Sequence, residues 1–591
     1  MKLLDNNIWY TYRLPKASYT FDANHGWYTE WPRIHKIDDN ASIIDAHGTL
    51  FNLSNTFSRS NSNGLSPIST HLSIVNSIVK FGNNIIMAGN EASWSNNYTQ
   101  LVKPQSNLRF LVSEDLYNFG LPSGNGGPWY KTAVRADQPS VPYLFSDYDY
   151  KIVHFSHNKN QPVNITIELD VNGNNTWTFY KTHTIDSGGY SYFIFPPELK
   201  AQWIRFKSDK DVDQMSAYLR YESKPLTTDQ TIFASISSPQ QIGPRSQGIL
   251  RPKDETLQYV ADILDSQGNK VETKYYEIGK SINIIPSDNS TEVTQILNDF
   301  SVKEAGFSVD SASVIIESNN VKYRFPKGNS VYNQPWLSNW PRLTRPVATD
   351  RNLMNLHGTF YELPYEDSGG IRRIRPITTH NKMIYDFASW RGLLVLSGTL
   401  NDAQQDGNYF KSSDNKIGLW FGSVEDLWKF GPPSGVGGPW SNSPVSAGQY
   451  SDPYLMAGYV NKSLQISHNS GSDIVFTIEV DYAGDGTWHK YQDLTVSSEQ
   501  TSTHNFPPAF NAHWVRLKAN SDTIATATFI YNPTCSHSNG DFNEDGLVNI
   551  LDLIGWYNYY KKKEYNINVD FNCDQKINVS DLIVWYKKYQ K

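Results

Sequence analysis

The sequence is poor in cysteine, in charge and in long apolar runs. Only two of its 591 residues are cysteines, Cys535 and Cys573, and both stand near the C-terminus. A disulfide framework spread along the chain is excluded, and one bridge between these two in an oxidising compartment is the pairing left open. No run of about eighteen apolar residues occurs, so nothing reads as a membrane-spanning helix. Charged residues make up 19% and the formal net charge is −7, which argues against a nucleic-acid partner. The start, MKLLDNNIWYTYRLPK, lacks the basic opening, apolar centre and small-residue cleavage site of a secretory leader. Helical periodicity is scarce, with the nearest candidate at Gln295 to Phe300.

Aromatic residues, in contrast, reach 14%, with 17 Trp and 36 Tyr. Flat rings suit an extracellular, glycan-associated β protein, because they stack on the apolar faces of sugars; most are nonetheless expected in strands and core. A chain of this length is too long for one ordinary core, so several domains are expected.

A twelve-residue acidic pattern occurs twice near the end: DFNEDGLVNILD from Asp541 to Asp552, and DFNCDQKINVSD from Asp570 to Asp581. Each run places oxygen side chains at positions 1, 3, 5, 9 and 12. In the first these are Asp541, Asn543, Asp545, Asn549 and Asp552, with the carbonyl of Leu547 at position 7. In the second they are Asp570, Asn572, Asp574, Asn578 and Asp581, with the carbonyl of Lys576. A hard cation such as Ca²⁺ takes roughly six to eight oxygens, so each loop, with its three carboxylates, is a candidate for one Ca²⁺. Gly546 supplies the sharp turn at position 6, where the second loop has Gln575. Apolar residues then follow at helical spacing: Leu553, Ile554, Trp556 and Tyr557 after the first loop, Leu582, Ile583, Trp585 and Tyr586 after the second.

Loop, following helix and near-duplicate together resemble a type I dockerin over residues 535 to 591, with Asp rather than Glu at position 12. The resemblance implies a small α-helical, Ca²⁺-dependent module that plugs a secreted, extracellular protein into the cohesin domain of a scaffoldin, with plant cell-wall polysaccharide as the usual substrate of its cargo. By position it assigns cohesin contact to Ile550, Leu551, Tyr557, Asn558 and Lys562 in the first half, and to Val579, Ser580, Tyr586 and Lys587 in the second. The pairs Ile550/Leu551 and Val579/Ser580 differ, so two unequal binding faces are expected. A secreted protein without a leader is expected to have an incomplete or processed start.

The rest of the chain is internally duplicated. Tyr12 to Lys16, YRLPK, recurs as YRFPK at Tyr323 to Lys327, and WPR at Trp31 recurs at Trp340. His47 matches His357, His71 matches His380, GGPW at Gly126 matches Gly437, Phe195 matches Phe506 and Trp203 matches Trp514. The expected organisation is a first copy within 1–224, an intervening β-rich segment at 225–321, a second copy at 322–533 and the dockerin-like module at 535–591. Within the copies the signal is β: FTIEVD at Phe476 to Asp481 alternates, and Gly, Asn, Asp and Pro turns separate short apolar runs. Short strands and turns point to a β-propeller-like region, with a β-sandwich as the alternative. A propeller of seven or eight blades would fit this length, and the region is similar to uncharacterised secreted bacterial propeller-like proteins. The segment 225–321 either opens each copy, in which case the first copy lacks its opening, or bridges two halves of one domain.

Polar residues shared by both copies read as architectural: His47/His357, His157/His468, Arg33/Arg342 and Glu114/Glu425. The second copy alone carries RRIRPITTHNKMIYDFASWRG. Its candidate catalytic set is His380, Arg375 and Tyr385, the residue types that eliminative cleavage of a uronic-acid polysaccharide requires: Arg neutralises the carboxylate while His and Tyr handle the proton. Two-carboxylate glycoside hydrolysis is the rival chemistry, through Asp386 with Glu362, or Glu479 with Asp481. The last pair recurs as Glu168 and Asp170, and DYAGDGTW reads as a hairpin turn, so its expected role is structural. A non-catalytic glycan-binding or structural subunit is the alternative to either enzyme.

Changing both Asp541 and Asp552 to Ala is expected to abolish Ca²⁺-dependent ordering of the terminal module, followed by circular dichroism with and without chelator. Ordered double mutant in excess chelator contradicts the Ca²⁺ reading.

Overall fold

The computed structural model describes the chain apart from residues 19–32, 91–105, 225–229, 240–242, 254, 301–305, 334–342, 349–350, 533–539, 541, 543–547, 563–568, 570, 572–576 and 591. The protein is mainly β, with 50% strand and 12% helix, and its sheets are almost wholly antiparallel. Among the described residues no helix is long and apolar enough to cross a membrane.

The duplication is visible strand by strand. In the first copy one sheet runs Gly124–Val134, Val212–Glu222, Tyr150–His157, Tyr190–Phe195, and a second runs Tyr143–Leu144, Trp203–Ser208, Val163–Asp170, Thr178–Ile185. Alternation in VNITIELD turns Ile165 and Ile167 inward to meet Val153, Phe155, Phe206 and Leu219 in a core shared by the two sheets. The second copy repeats this 311 residues on, with Gly435–Val445, Thr523–Asn532, Asn461–His468 and Thr501–Asn505 in one sheet, and Tyr454–Leu455, Trp514–Ala519, Ile474–Asp481 and His489–Val496 in the other. The GGPW motif recurs because of a close backbone approach: a Cβ on Gly127 would stand 1.9 Å from the Ala217 carbonyl oxygen, and one on Gly438 would stand 1.9 Å from that of Ala527.

Each copy also begins on a hairpin, Lys2–Asp5 with Ile8–Thr11, and Val314–Ser318 with Val321–Phe325. Both turn through paired asparagines in the left-handed region, Asn6–Asn7 and Asn319–Asn320, as a two-residue hairpin turn demands. The matching unit thus starts at Lys2 in the first copy and at Val314 in the second, ahead of the 322 boundary expected from the sequence. His47 and His357, at φ 52° and 53°, each precede a glycine in the same kind of turn, which is why HGT recurs.

The remaining strands form five sheets built mostly as sequential hairpins. The first copy contributes Arg33–Lys36 through Ser66–Thr70, and Ile74–Phe81, Asn84–Asn90, Arg109–Leu111. The second contributes Thr344–Ala348 through Arg375–Thr379, and Phe387–Trp390, Leu393–Leu396, Gly418–Gly422, Tyr409–Lys411. The intervening segment supplies Arg245–Lys253 through Ile284–Ser287, with Thr399–Leu400 added to its edge. It also carries helix α1, Ser290–Phe300, whose fully buried Ile296 packs on Ile249, Val260 and Tyr275. The strands do not divide into seven or eight equivalent blades. Pairings such as Gly124–Val134 with Val212–Glu222 skip the strands between them, which a sequential blade does not do. Helices α2, Ile550–Lys562, and α3, Val579–Tyr589, close the chain around Trp556, Val569, Phe571 and Trp585.

The two copies differ in what covers one sheet face. In the second, Ala388, Trp390, Leu419 and Phe421 pack on Leu250, Leu257, Tyr259 and Tyr276 of the intervening sheet. Their equivalents Val79, Phe81, Leu108 and Phe110 are 52%, 71%, 55% and 62% exposed. Phe421→Ser is therefore expected to cost about 3–5 kcal/mol in chemical denaturation, whereas Phe110→Ser shifts stability by no more than about 0.5 kcal/mol. Equal losses at the two sites would show that the Phe110 face is covered.

Candidate functional site

A cavity of about 610 Å³ lies where the two copies meet. Its first-copy wall comes from the end of strand Val212–Glu222. Period-two alternation sends Leu219 and Tyr221 into the core and leaves Arg220 and Glu222 on the opposite face, lining the cavity. The second copy adds Arg375, at the start of strand Arg375–Thr379, and Trp428 with Lys429 from the 3-10 turn Val424–Phe430. That turn is fixed by Ser423, whose Oγ accepts from Glu425 N at 3.1 Å, while Asp426 accepts from Ser423 N at 2.7 Å.

Buried ion pairs hold the walls together. Glu425 is 3% exposed and accepts from Arg109 Nη1 at 2.8 Å and from Ser73 N at 2.9 Å, both across the copy boundary. Burial pushes its carboxyl up, but Arg109 and the hydroxyl and amide donors of Ser423 and Ser73 more than reverse this and bring it to about 2. Glu362, 2% exposed, accepts from Arg375 Nε at 2.5 Å and from Ser18 Oγ at 2.7 Å. Arg351 lies beside it, 3.7 Å from Nε to carboxylate oxygen, and donates to the carbonyls of His71 and Ser73 at 3.1 and 3.0 Å.

Glu222 is different. Its side chain accepts from Asn511 Nδ2 at 2.6 Å, and burial raises its carboxyl against the opposing charges of Arg220, Lys462 and Arg375. Lys462 is 3% exposed and donates to the carbonyl of Phe510 at 2.9 Å; burial lowers its ammonium to about 7. The cavity thus joins three guanidinium groups, of Arg109, Arg220 and Arg375, to a Glu222 carboxyl that burial pushes towards its neutral form, beside the ring of Trp428. Sequence reasoning missed Arg220, Glu222 and Trp428. A signal existed, since Ile530 stands at the position matching Arg220, so the arginine belongs to one copy alone.

The structure does not assemble His380 and Tyr385 with Arg375 at this cavity. His380 is 6% exposed and packs among Tyr332, Phe360 and Phe430, with Nε2 3.1 Å from Asn355 Oδ1. Burial, aided by Lys382, lowers it to about 3, so it stays neutral. It occupies the turn position of His71, which contacts Asp45 at 2.9 Å. Tyr385 is 5% exposed, and burial raises its hydroxyl. The other arginines also disperse: the Arg372 carbonyl accepts from Trp514 Nε1 at 2.7 Å, and Arg391 donates to the Lys280 carbonyl at 3.0 Å.

The carboxylate pairs separate too. Asp386 is fully buried against Arg345, with Phe387 N at 2.8 Å, whereas Glu362 is held by Arg375. Asp481 accepts from the Gly484 and Gly486 amides at 2.8 and 2.7 Å, and Glu479 binds Arg516 at 2.7 Å, the structural roles expected of them. Of the shared histidines, His157 and His468 make matching contacts to the carbonyls of Ile185 and Val496 at 3.4 and 2.9 Å. Glu114 is exposed where Glu425 is buried, so that pair is not equivalent. Trp31, Trp340 and Arg342 lie outside the described residues.

At the C-terminus, Asp541, Asn543, Asp545, Leu547, Asp570, Asn572, Asp574 and Lys576 lie outside the described residues, as do Cys535 and Cys573. The other four candidate ligands are placed in matching positions. Asp552 and Asp581 are fully buried in the first turns of α2 and α3. Asp552 accepts from Phe542 N and Asn549 N, both at 2.8 Å, drawing the loop start onto the helix; Asp581 accepts from Asn578 N at 2.8 Å. Asn549 and Asn578 cap the helices through Leu551 N and Ser580 N at 2.8 and 2.7 Å, which suits a position-9 residue that commonly meets the ion through water. Among the described residues no group of three or more His, Cys, Asp or Glu side chains comes together, the other expected ligands lying outside them. The halves mirror one another: Trp556 stacks on Tyr560 and Trp585 on Tyr589, each at 4.9 Å.

No family model and no curated protein matches the chain. Among solved structures it is similar to the PBSX exported protein XepA, at 7% identity over 75% of this chain and 94% of that one, with a TM-score of 0.15. A glycoside hydrolase family 32 protein from Bifidobacterium adolescentis matches at 8% identity over 68% and 99%, TM-score 0.11. The CBM22 tandem domain of Paenibacillus barcinonensis Xyn10C matches at 7% over 85% and 99%, TM-score 0.12. Likenesses at this level carry no argument about fold or function.

Because Glu425 is held low when folded, its stabilisation is complete above the unfolded carboxylate range and is lost as pH falls towards 2. The stability gap between the parent and Glu425→Gln is expected to narrow by about 3 kcal/mol between about pH 6 and pH 2 in urea titrations. A gap that does not change with pH contradicts the assignment.

Proposed function

We propose that the chain is an extracellular glycan-binding protein, tethered through a Ca²⁺-dependent dockerin module to a scaffoldin cohesin. The observation that carries the tether is the pattern on α2 and α3. All nine residues assigned to cohesin contact, Ile550, Leu551, Tyr557, Asn558, Lys562, Val579, Ser580, Tyr586 and Lys587, are exposed, while Asp552, Trp556, Asp581 and Trp585 between them are buried. An isolated small protein has no folding reason to expose the same apolar positions on two helices, so a partner surface accounts for them. Two Ca²⁺ ions, one per loop, would be held by Asp541, Asp545, Asp552 and their counterparts Asp570, Asp574 and Asp581. Supplying them orders loops too acidic to close unaided.

For the β region we favour binding of plant cell-wall polysaccharide at the cavity between the copies. Trp428 offers a ring face, and arginines and a carboxyl offer directional hydrogen bonds. Lyase chemistry through His380, Arg375 and Tyr385 draws no support, since the histidine and tyrosine are packed away from the cavity. Hydrolysis through Asp386 with Glu362 draws no support either, since each carboxylate is buried against its own arginine.

The test is a binding assay on the full chain. Retention on an immobilised type I cohesin in Ca²⁺, with release by chelator, is expected, together with retention on insoluble cell-wall glycan. Cohesin binding that survives chelation overturns the tether. New reducing ends, or the ultraviolet absorbance of unsaturated uronates, would turn the β region from binding to catalysis.

A further inference from the structure

We propose that the cavity between the copies selects an acidic sugar, seating a uronate carboxylate between Arg220 and Arg375. The inference rests on the glycan-binding reading and names its ligand class. Arg220 is 6% exposed and donates through Nη1 to the Tyr482 carbonyl at 2.9 Å, but its buried Nε has no partner among the described residues. Arg375 donates through Nε to Glu362, and its buried Nη2 likewise has no partner among the described residues. A buried, partnerless guanidinium N–H is costly, and two on residues that line one cavity, one from each copy, ask for an acceptor from outside the protein. Guanidinium donors match a carboxylate in both geometry and charge.

Two other cations of the lining are already matched. Arg109 is paired with Glu425 at 2.8 Å and Lys429 with Asp426 at 2.7 Å, whereas Arg375 is paired with Glu362 through Nε alone, leaving Arg220 Nε and Arg375 Nη2 as the guanidinium donors without a partner among the described residues. Glu222 faces Arg220, Arg375 and Lys462, and also Asn511 from the second copy. Ionised, it competes with a ligand carboxylate for the same arginines. Protonated, it leaves them free and can itself donate. Because burial raises its carboxyl, acid favours the binding state until the ligand itself is protonated; loss of the Lys462 charge towards alkaline pH acts in the same direction. Trp428 and Pro432 supply the apolar surface against which a sugar ring rests.

The experiment is calorimetric titration of the full, Ca²⁺-loaded chain with trigalacturonate, with neutral trigalactose and with inorganic phosphate. Trigalacturonate is expected to bind at least about tenfold tighter than trigalactose, and Arg375→Lys to lose about tenfold by breaking the planar fork. Glu222→Gln, which keeps the acceptor for Asn511, is expected to tighten uronate binding about threefold near pH 8 and to flatten its pH profile. Arg220→Lys, checked for folding by circular dichroism, provides a second arginine test. Equal affinity for the neutral sugar overturns the proposal and leaves glycan binding intact. Phosphate binding as tightly as the uronate overturns it in favour of a general anion site. Folded arginine variants with unchanged uronate affinity overturn it too, and failure of every sugar to bind defeats both this inference and the glycan-binding reading.

Discussion

The structure depends on matching charges that are buried where the two copies meet. Glu425 reaches out of the second copy to Arg109 and Ser73 of the first, and Glu362 does the same to Ser18 while also holding Arg375. A buried carboxylate without such partners would cost several kcal/mol, so these contacts fix how the copies are set against each other. Packing alone does not impose a single orientation on two similar apolar faces. The cavity is a by-product of this constraint: where polar groups must be met by specific donors, the walls stand apart and leave a space lined by charge.

Duplication explains most of the architecture, and departures from it locate the site. Trp203 and Trp514, Gly127 and Gly438, and His47 and His357 do the same work in each copy, closing a core, admitting a neighbouring strand or turning a hairpin. Arg220 and Arg375 each belong to one copy only, and both line the cavity. The uncovered Val79, Phe81 and Phe110 face is a second departure, set against an equivalent face that the intervening sheet buries.

Much of this was legible from residues alone. The duplication, the β class, the helix near Gln295, the structural roles of Glu479 and Asp481 and the helices after the acidic loops all followed from local pattern and spacing. Strand pairing did not, because Val212–Glu222 joins Gly124–Val134 across long stretches of sequence, and nothing local records that choice. The site was legible only in part. Crowding of Arg, His and Tyr in one twenty-residue run suggested convergence, but successive strand residues face opposite ways and the run turns twice, so Arg375 reaches the cavity while His380 and Tyr385 enter the core. Partners that do converge come from elements far apart in the chain.

The central claim, that paired buried charges set one copy against the other, is tested most directly by a double-mutant cycle between Arg109 and Glu425. Stability of Arg109→Met, Glu425→Gln and the double variant would be measured by urea denaturation near neutral pH. A coupling energy of at least about 1.5 kcal/mol is predicted. Effects that add to within about 0.3 kcal/mol would contradict the account, because the copies would then be held by something other than this pair.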